Sequence, residues 1–224
     1  MKFGIIGAMS SEVELLINAL EDLKTTDIKG YKFFEGKYKD KELVVIESSI
    51  GKVNSAICTQ ILIDNFNPDF VINSGIAGGL DSRLKVLSVV IGEELTFHDF
   101  SHEIMRDFSP YTAYFESDNR AVKLAKEIAD EMKIHSLVGK IVTGDVFVED
   151  SVLKTKLHSD FDALCVEMEG ASIAMTSYIN KIPFIVLRSI SDLADDGGMM
   201  TYDEFKIEAS NQSANLVLEL VSRY

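Results

Sequence analysis

Two glutamates, Glu167 and Glu169, interrupt an apolar stretch that reads LCVEMEGASIAM. Carboxylates are seldom buried unless a charge or a hydrogen-bond donor pairs with them. Three more polar residues follow other apolar runs: Glu12 comes soon after KFGIIGA, and Arg188 and Asp192 come after PFIVL. Desolvation in a cleft raises the pKa of a carboxyl group toward neutrality, where it can exchange protons. These residues therefore predict an acid–base site rich in carboxylates.

Paired carboxylates also indicate a class of reaction, the cleavage of a glycosidic bond. One acid protonates the leaving group, the other activates water, and an oxocarbenium-like sugar forms between them. An arginine nearby can pair with either acid. The spacing of Glu167 and Glu169 leaves open which of them faces the pocket, because a strand would place both on one side and a helix begins close by.

Other catalytic and metal-binding patterns are incomplete in this sequence. The glycine cluster GIAGG lacks the G-x-G-x-x-G spacing and is typical of a tight turn. His98 and His102 could share one helical face, but no third ligand accompanies them, so no metal site is expected. Cys58 and Cys165 have no basic neighbour that would activate a thiolate.

The residues around these acids alternate between strand and helix patterns. Ser11 with Glu14, and Thr201 with Glu204, have the spacing of capping boxes and predict two helix starts. The predicted strands cover 2–8, 68–79, 86–99 (one strand or a pair), 136–145 and 183–192, with a hairpin over 31–51 and a strand beginning at 163. The predicted helices cover 52–66, 118–133 and roughly 170–180.

This alternation predicts the α/β class, with a largely parallel sheet between two layers of helices. Ligands bind beyond the carboxyl ends of such strands. We therefore expect one site to form from the small and polar segments that follow the strands: 8–12, 74–79, 144–147, 167–169 and 188–192. The glycine-rich stretch 195–200 is a candidate hinge or lid.

Composition limits the function further. The chain has 224 residues, is 46% hydrophobic and shows no linker or repeat, which predicts a single domain over 1–224. Its formal net charge of −14 disfavours nucleic acid and anionic membrane surfaces as partners. No apolar run approaches the ~20 residues of a membrane span. Two apolar-flanked cysteines fit a reduced, cytoplasmic protein.

Six segments resemble a known family, in order and across nearly the whole chain. They are GIIGAMSSEVELL, SSIGKVNSA, VINSGIAGGL, TGDVFV, VEMEG and RSISDLAD. The chain is similar to the bacterial 5′-methylthioadenosine/S-adenosylhomocysteine nucleosidases of the purine nucleoside phosphorylase superfamily. The resemblance implies a three-layer α/β/α fold with a mixed sheet. It also implies hydrolysis of an adenine nucleoside to adenine and a 5-thio-substituted ribose, without metal or organic cofactor.

The resemblance assigns roles to the acids. It makes Glu12 the general base that activates water, and Asp192 the general acid that protonates adenine N7, with Ser191 beside it. It places Glu169 on the ribose hydroxyls and leaves Glu167 as a structural acid. Helix capping or a turn would also explain Glu12 and Asp192.

The remaining substrate contacts are likewise implied by the resemblance. Phe147 stacks on adenine, the Val148 backbone reads its edge, Met168 packs on the sugar, and Arg188 lies near the water and hydroxyls. The other implied contacts are Ala8, Met9, Ile50, Ile76, Gly78 and Tyr202. Ile76 replaces a common serine and Tyr202 a usual phenylalanine, which puts rate and substrate preference in question.

The family is dimeric, which implies that the segment 103–115 of one copy closes the site of its neighbour. Its apolar residues Ile104, Met105, Phe108 and Tyr111 are costly to expose, although an ordinary surface loop is the alternative. Two other functions remain open at this stage. They are a phosphorylase of the same fold and a nucleoside-binding protein without catalysis. Preference among methylthioadenosine, adenosylhomocysteine, 5′-deoxyadenosine and aminodeoxyfutalosine is not determined by the sequence.

Overall fold

A ten-stranded mixed sheet organises the part of the chain that the computed structural model describes, residues 1–194 and 198–224. The strands are β1 (Lys2–Gly7), β2 (Glu21–Ile28), β3 (Tyr31–Tyr38), β4 (Lys41–Glu47), β5 (Phe70–Gly79), β6 (Val89–Phe97), β7 (Phe115–Glu116), β8 (Ser136–Thr143), β9 (Ala163–Glu167) and β10 (Phe184–Asp192). The helices are α1 (Ser10–Asn18), α2 (Lys52–Phe66), α3 (His102–Asp107), α4 (Asn119–Glu131), α5 (Ser151–Phe161), α6 (Gly170–Ile179) and α7 (Gly198–Arg223).

Parallel and antiparallel pairings are equally frequent in the described sheet. Five are parallel, namely β1–β4, β1–β5, β5–β10, β6–β8 and β8–β9. Five are antiparallel, namely β2–β3, β3–β4, β5–β9, β6–β7 and β6–β10. Because β5 pairs with both β9 and β10, the strands β10, β6, β8, β9 and β5 close into a ring. The carboxyl ends of several strands therefore meet around one point.

Helices cover both faces of the sheet, which confirms the predicted three-layer α/β/α arrangement. Successive strand residues point to opposite faces. Ile5 accordingly belongs to the buried cluster that includes residues of α1, α4 and α7, whereas Ile6 belongs to the cluster that includes residues of α2 and α6. Burial on both faces explains why the central strands read as continuous apolar runs. None of the described helices combines the length and the apolar character needed to cross a membrane.

The two predicted capping boxes are wrong. α1 begins at Ser10, with Met9 as its N-cap, so Glu12 rather than Glu14 reaches back to the start of the helix. α7 already includes Thr201, because the helix is continuous from Gly198 onward. Of the candidate hinge over 195–200, residues 195–197 lie outside the described part.

Four elements were not predicted: β2, α3, the short β7 and α5. The stretch 86–99 forms one strand, β6. His98 follows the end of β6 while His102 starts α3, so the two imidazoles do not share a helical face. His102 Nε2 instead lies 2.9 Å from Thr96 Oγ1, which gives this histidine a structural partner.

Candidate active site

A cavity of about 600 Å³, including its open mouth, lies where β1, β5, β9 and β10 end. Its volume suits a small organic ligand. The predicted site residues that line it are Ala8, Met9, Glu12, Ile50, Ile76, Gly78, Phe147, Val148, Met168, Glu169, Ser191, Asp192 and Tyr202. Arg188 is not part of the lining because it is completely buried. The sheet thus brings together residues that are up to 194 positions apart in the sequence.

Glu12 is held at the junction between β1 and α1. Its Oε2 accepts hydrogen bonds from the backbone N–H groups of Ala8 (2.6 Å) and Met9 (3.0 Å), and its Oε1 accepts one from Ile76 (3.0 Å). Burial raises the pKa of Glu12, and the charge of Arg188 and these three N–H groups oppose that rise. A fixed carboxylate with a raised pKa is suited to accept a proton from water near neutral pH.

Glu167 binds structural partners. Its carboxylate pairs with Arg188 Nη2 and accepts hydrogen bonds from the Thr143 hydroxyl and from Gly170 N–H (2.7 Å). The same Arg188 Nη2 donates to Asn73 Oδ1 at 2.6 Å. This buried network satisfies Glu167 on both oxygens, which explains how a carboxylate survives in an apolar stretch.

Glu169 is in a different electrostatic position, although it is only two residues away. Its Oε1 accepts a hydrogen bond from Gly51 N–H (2.9 Å), and its Oε2 lies 3.7 Å from the Arg188 guanidinium. Burial, reinforced by the negative charge of Glu167, raises the pKa of Glu169 to about 8, and Arg188 only partly offsets the rise. Both glutamates line the cavity, and Glu169 holds the less stabilised carboxylate of the two.

Gly75 is required because two of these side chains pass against its backbone. A Cβ atom there would lie 2.0 Å from Arg188 Nη1 and 2.5 Å from Glu12 Oε1. The tight turn that the sequence predicts for the glycine cluster is wrong, because Gly75 and Gly78 lie within β5. The glycines serve the close approach of charged side chains to a strand, not a reversal of the chain.

Asp192 lies at the end of β10, on the wall of the same cavity. Its Oδ2 accepts a hydrogen bond from Ser191 Oγ (2.8 Å), and its Oδ1 accepts one from Ala194 N–H (2.8 Å). A Cβ atom on Gly78 would lie 3.0 Å from Asp192 Oδ1. The carboxyl group is therefore fixed in orientation and only 1% exposed.

Aromatic and thioether groups form another part of the wall. The rings of Phe147 and Tyr202 pack edge to face, with centroids 5.6 Å apart. Tyr202 Oη donates a hydrogen bond to Met9 Sδ at 3.2 Å. Val148 is buried, whereas Ile50 is half exposed at the mouth. A flat apolar ligand that also carries hydroxyl groups would find both kinds of contact here.

Several residues of the site are not predicted from the sequence. Ala77, Val146 and Val166 also line the cavity, while Asn73 and Thr143 hold the buried charges. Their only signal in the sequence is that they lie in or just after predicted strands. In the segment 103–115, Ile104, Phe108 and Tyr111 are exposed, whereas Met105 is buried within this chain.

Comparisons with known proteins agree on one family. A profile of the phosphorylase superfamily matches residues 2–222. A 5′-methylthioadenosine/S-adenosylhomocysteine nucleosidase from an Exiguobacterium species is 42% identical over 232 residues, covering 100% of this chain and 98% of that protein.

Two solved structures are similar over nearly their whole length. The nucleosidase of the same name from Neisseria meningitidis, in complex with methylthio-immucillin-A, has a TM-score of 0.94 and 37% identity, with 100% and 99% of the two chains covered. The S-adenosylhomocysteine nucleosidase from Streptococcus pyogenes, in complex with 5-methylthiotubericidin, has a TM-score of 0.95 and 33% identity, with 100% and 97% covered.

Proposed function

Since the chain belongs to the phosphorylase superfamily and, within it, to the 5′-methylthioadenosine/S-adenosylhomocysteine nucleosidases, we propose that it hydrolyses the N-glycosidic bond of these two nucleosides. The products are adenine and the 5-thio-substituted ribose. The observation that carries the proposal is the meeting of Glu12, Glu169 and Asp192, from three distant segments, around one cavity with an aromatic wall. The enzyme is a glycosidic bond hydrolase, and 5′-deoxyadenosine is a further candidate substrate.

We assign the attack of water to Glu12. Its carboxylate takes a proton from water while the water oxygen bonds to the anomeric carbon of the ribose. The raised pKa of Glu12 makes this carboxylate a stronger base than an exposed glutamate. The three backbone N–H groups hold it in place, so little orientation has to be gained during the reaction.

We assign departure of the base to Asp192. As the glycosidic bond breaks, its electron pair moves onto adenine, and a proton from Asp192 arrives at N7, so that the base leaves neutral. The hydroxyl of Ser191 orients the carboxyl group. A positioned acid or base supplies ~10²–10⁴-fold each, which leaves a large part of the acceleration to other groups.

Glu169 is our candidate for much of that remainder. Positive charge builds on the ribose ring as the bond to adenine breaks. This charge favours the ionised form of the adjacent Glu169, whose carboxylate binds the ribose hydroxyls and stabilises the ring. Met168 packs against the sugar in this assignment. Arg188 acts from the buried layer, where it lies close to both Glu167 and Glu169.

The adenine ring is placed against Phe147, with the Val148 backbone at its edge. The remaining cavity residues, Ala8, Met9, Ile50, Ile76, Gly78 and Tyr202, complete the substrate contacts in our proposal. Ile76 donates its backbone N–H to Glu12, and its side chain adds no hydroxyl group to the cavity. The Tyr202 hydroxyl adds a polar group to an otherwise apolar wall.

A phosphorylase of the same fold would need cations to bind phosphate. The described residues that line the cavity include no lysine or arginine, and Arg188 is already paired with Glu167. Phosphate would instead meet Glu12 and Glu169, whose ionised forms repel it. Water is therefore the nucleophile that the charge distribution favours.

Product analysis tests whether water or phosphate is the nucleophile. We expect incubation with 5′-methylthioadenosine to release adenine at the same rate with and without millimolar phosphate, and to give the free reducing sugar in both cases. Chromatography of the products makes the measurement. A sugar 1-phosphate would mean a phosphorylase, and tight binding of the nucleoside without any adenine release would mean a silent binding protein.

We further propose that the enzyme is a homodimer in which segment 103–115 of each copy closes the other copy's site. Large apolar side chains are exposed on α2 and in this segment, among them Val53, Ile57 and Phe108. Exposed apolar side chains of this size favour association when they lie together in an interface. The chain acts as one domain over 1–224, and its buried free cysteines fit the reducing cytoplasm.

Light scattering tests the dimer. We expect the double variant Val53→Lys/Ile57→Lys to run as a monomer, because two charges would have to be desolvated at the contact. The control is Val152→Lys on α5, where the native side chain is 77% exposed. An unchanged mass for the double variant would place the interface elsewhere, and a monomeric wild type would reject the dimer.

A further inference from the structure

Three charged residues outside the cavity join the loops that surround it. Lys52 Nζ lies 2.7 Å from both carboxylate oxygens of Asp99 and 3.7 Å from Asp145 Oδ2. The backbone N–H of Asp145 donates to Asp99 Oδ2 (3.0 Å), and the backbone N–H of Lys52 donates to Asp145 Oδ1 (2.8 Å). We refer to Lys52, Asp99 and Asp145 as the clasp.

The clasp connects the loops after two neighbouring strands, β6 and β8, to the loop after β4, which lies farther away in the sheet. Asp99 comes two residues after β6 and Asp145 two residues after β8, and these strands pair in parallel. Lys52 begins α2, after the loop that follows β4. Between β8 and β4 in the sheet lie β9, β5 and β1, whose carboxyl ends lead to the cavity residues Glu169, Gly78 and Glu12, respectively. The clasp therefore joins loops on the two sides of these three strands.

Each end of the clasp is one or two residues from a cavity group. Gly51, which precedes Lys52, donates its N–H to Glu169 Oε1. Its φ of 99° is available mainly to glycine, and a Cβ there would lie 3.2 Å from Asp145 Oδ1. On the other side, Asp145 leads directly into Val146 and Phe147, which line the cavity.

From this geometry we propose that Asp99, through Lys52 and Asp145, is a positioning residue for the nucleosidase reaction. It holds Gly51 N–H against Glu169 and holds the Phe147 loop at the distance that an adenine ring requires. The proposal rests on the proposed function, because that function identifies the ribose as the partner of Glu169 and adenine as the partner of Phe147. Asp99 itself does not line the cavity.

The clasp has the features of an interaction that fixes structure. Its lysine and Asp99 side chains are only 22% and 27% exposed, so water screens them less than a surface pair. Asp99 accepts from both a side chain and a backbone donor, which restrains two loops at once. By contrast, Lys140 and Glu94 form a single 3.5 Å contact of similar exposure elsewhere on the sheet.

The test is Asp99→Asn in the full chain, measured by steady-state kinetics with 5′-methylthioadenosine and by calorimetric titration with adenine. We expect KM and the adenine Kd to rise together and kcat/KM to fall by about 10–100-fold, as small misplacements of binding groups produce. The melting temperature should stay close to that of the wild type. Glu94→Gln on β6, a side chain of equal exposure, is the matched control and should change neither constant.

A double-mutant cycle with Lys52→Gln separates positioning from general damage. If the clasp acts as a unit, the double variant loses no more than either single variant. Unchanged KM and adenine Kd in Asp99→Asn, or a loss confined to kcat with a lower melting temperature, would overturn the proposal. Absence of adenine release by the wild type would reject the proposed function, while the adenine titration would still decide whether the clasp positions the loops.

Discussion

Asp192→Asn is expected to reduce kcat for adenine release by about 10²–10⁴-fold while nucleoside binding persists. The substitution removes the proton that lets adenine leave as a neutral base. It keeps the local hydrogen bonds, because the amide oxygen can accept from Ala194 N–H and the Ser191 hydroxyl can rotate to accept from the amide nitrogen. The variant should therefore fold, and an adenine assay under saturating 5′-methylthioadenosine measures the loss.

A substrate with a better leaving group isolates the role of the acid. A 5-methylthioriboside of nitrophenol departs without protonation, so we expect Asp192→Asn to hydrolyse it at close to the wild-type rate. The control for the adenine assay is Asp130→Asn, an exposed residue on α4. Near-normal release of adenine by Asp192→Asn would remove Asp192 from the mechanism.

Glu12→Gln is expected to lower kcat by a similar ~10²–10⁴-fold, for a different reason. Glutamine cannot take the proton from water, so the nitrophenyl riboside should be affected as strongly as 5′-methylthioadenosine. Comparing the two substrates in both variants thus separates the general-base role of Glu12 from the general-acid role of Asp192. Adenine affinity should survive, and titration with adenine checks it.

This substitution also has a structural cost. Glu12 accepts backbone hydrogen bonds on both oxygens, and glutamine offers an acceptor on one side only. An N–H left without a partner costs about 1–3 kcal/mol. Activity should therefore be expressed per folded molecule, with Glu14→Gln on the exposed side of α1 as the control. Full turnover by folded Glu12→Gln would mean that another base exists.

Local sequence patterns determine the buried strands of this fold. Apolar runs such as those around Ile5 and Ile185 predict the buried strands, because a strand covered on both faces has no polar side to display. The elements that escaped prediction are partly exposed or short: the residues of β2 are mostly exposed, and β7 has two residues. Such segments bury too little apolar surface to leave a periodic signal.

Within the site, the sequence alone determined that acids and small residues follow the strands, and therefore that they meet at one edge of the sheet. Only the tertiary structure decided how these acids differ. Glu167 is neutralised by Arg188, which lies 21 positions away, while the less stabilised carboxylate of Glu169 lies next to the cavity. Gly75 is required because side chains from β10 and α1 cross its backbone. Charge pairing and close approach depend on distances in space between residues far apart in the chain, and no local pattern encodes those distances.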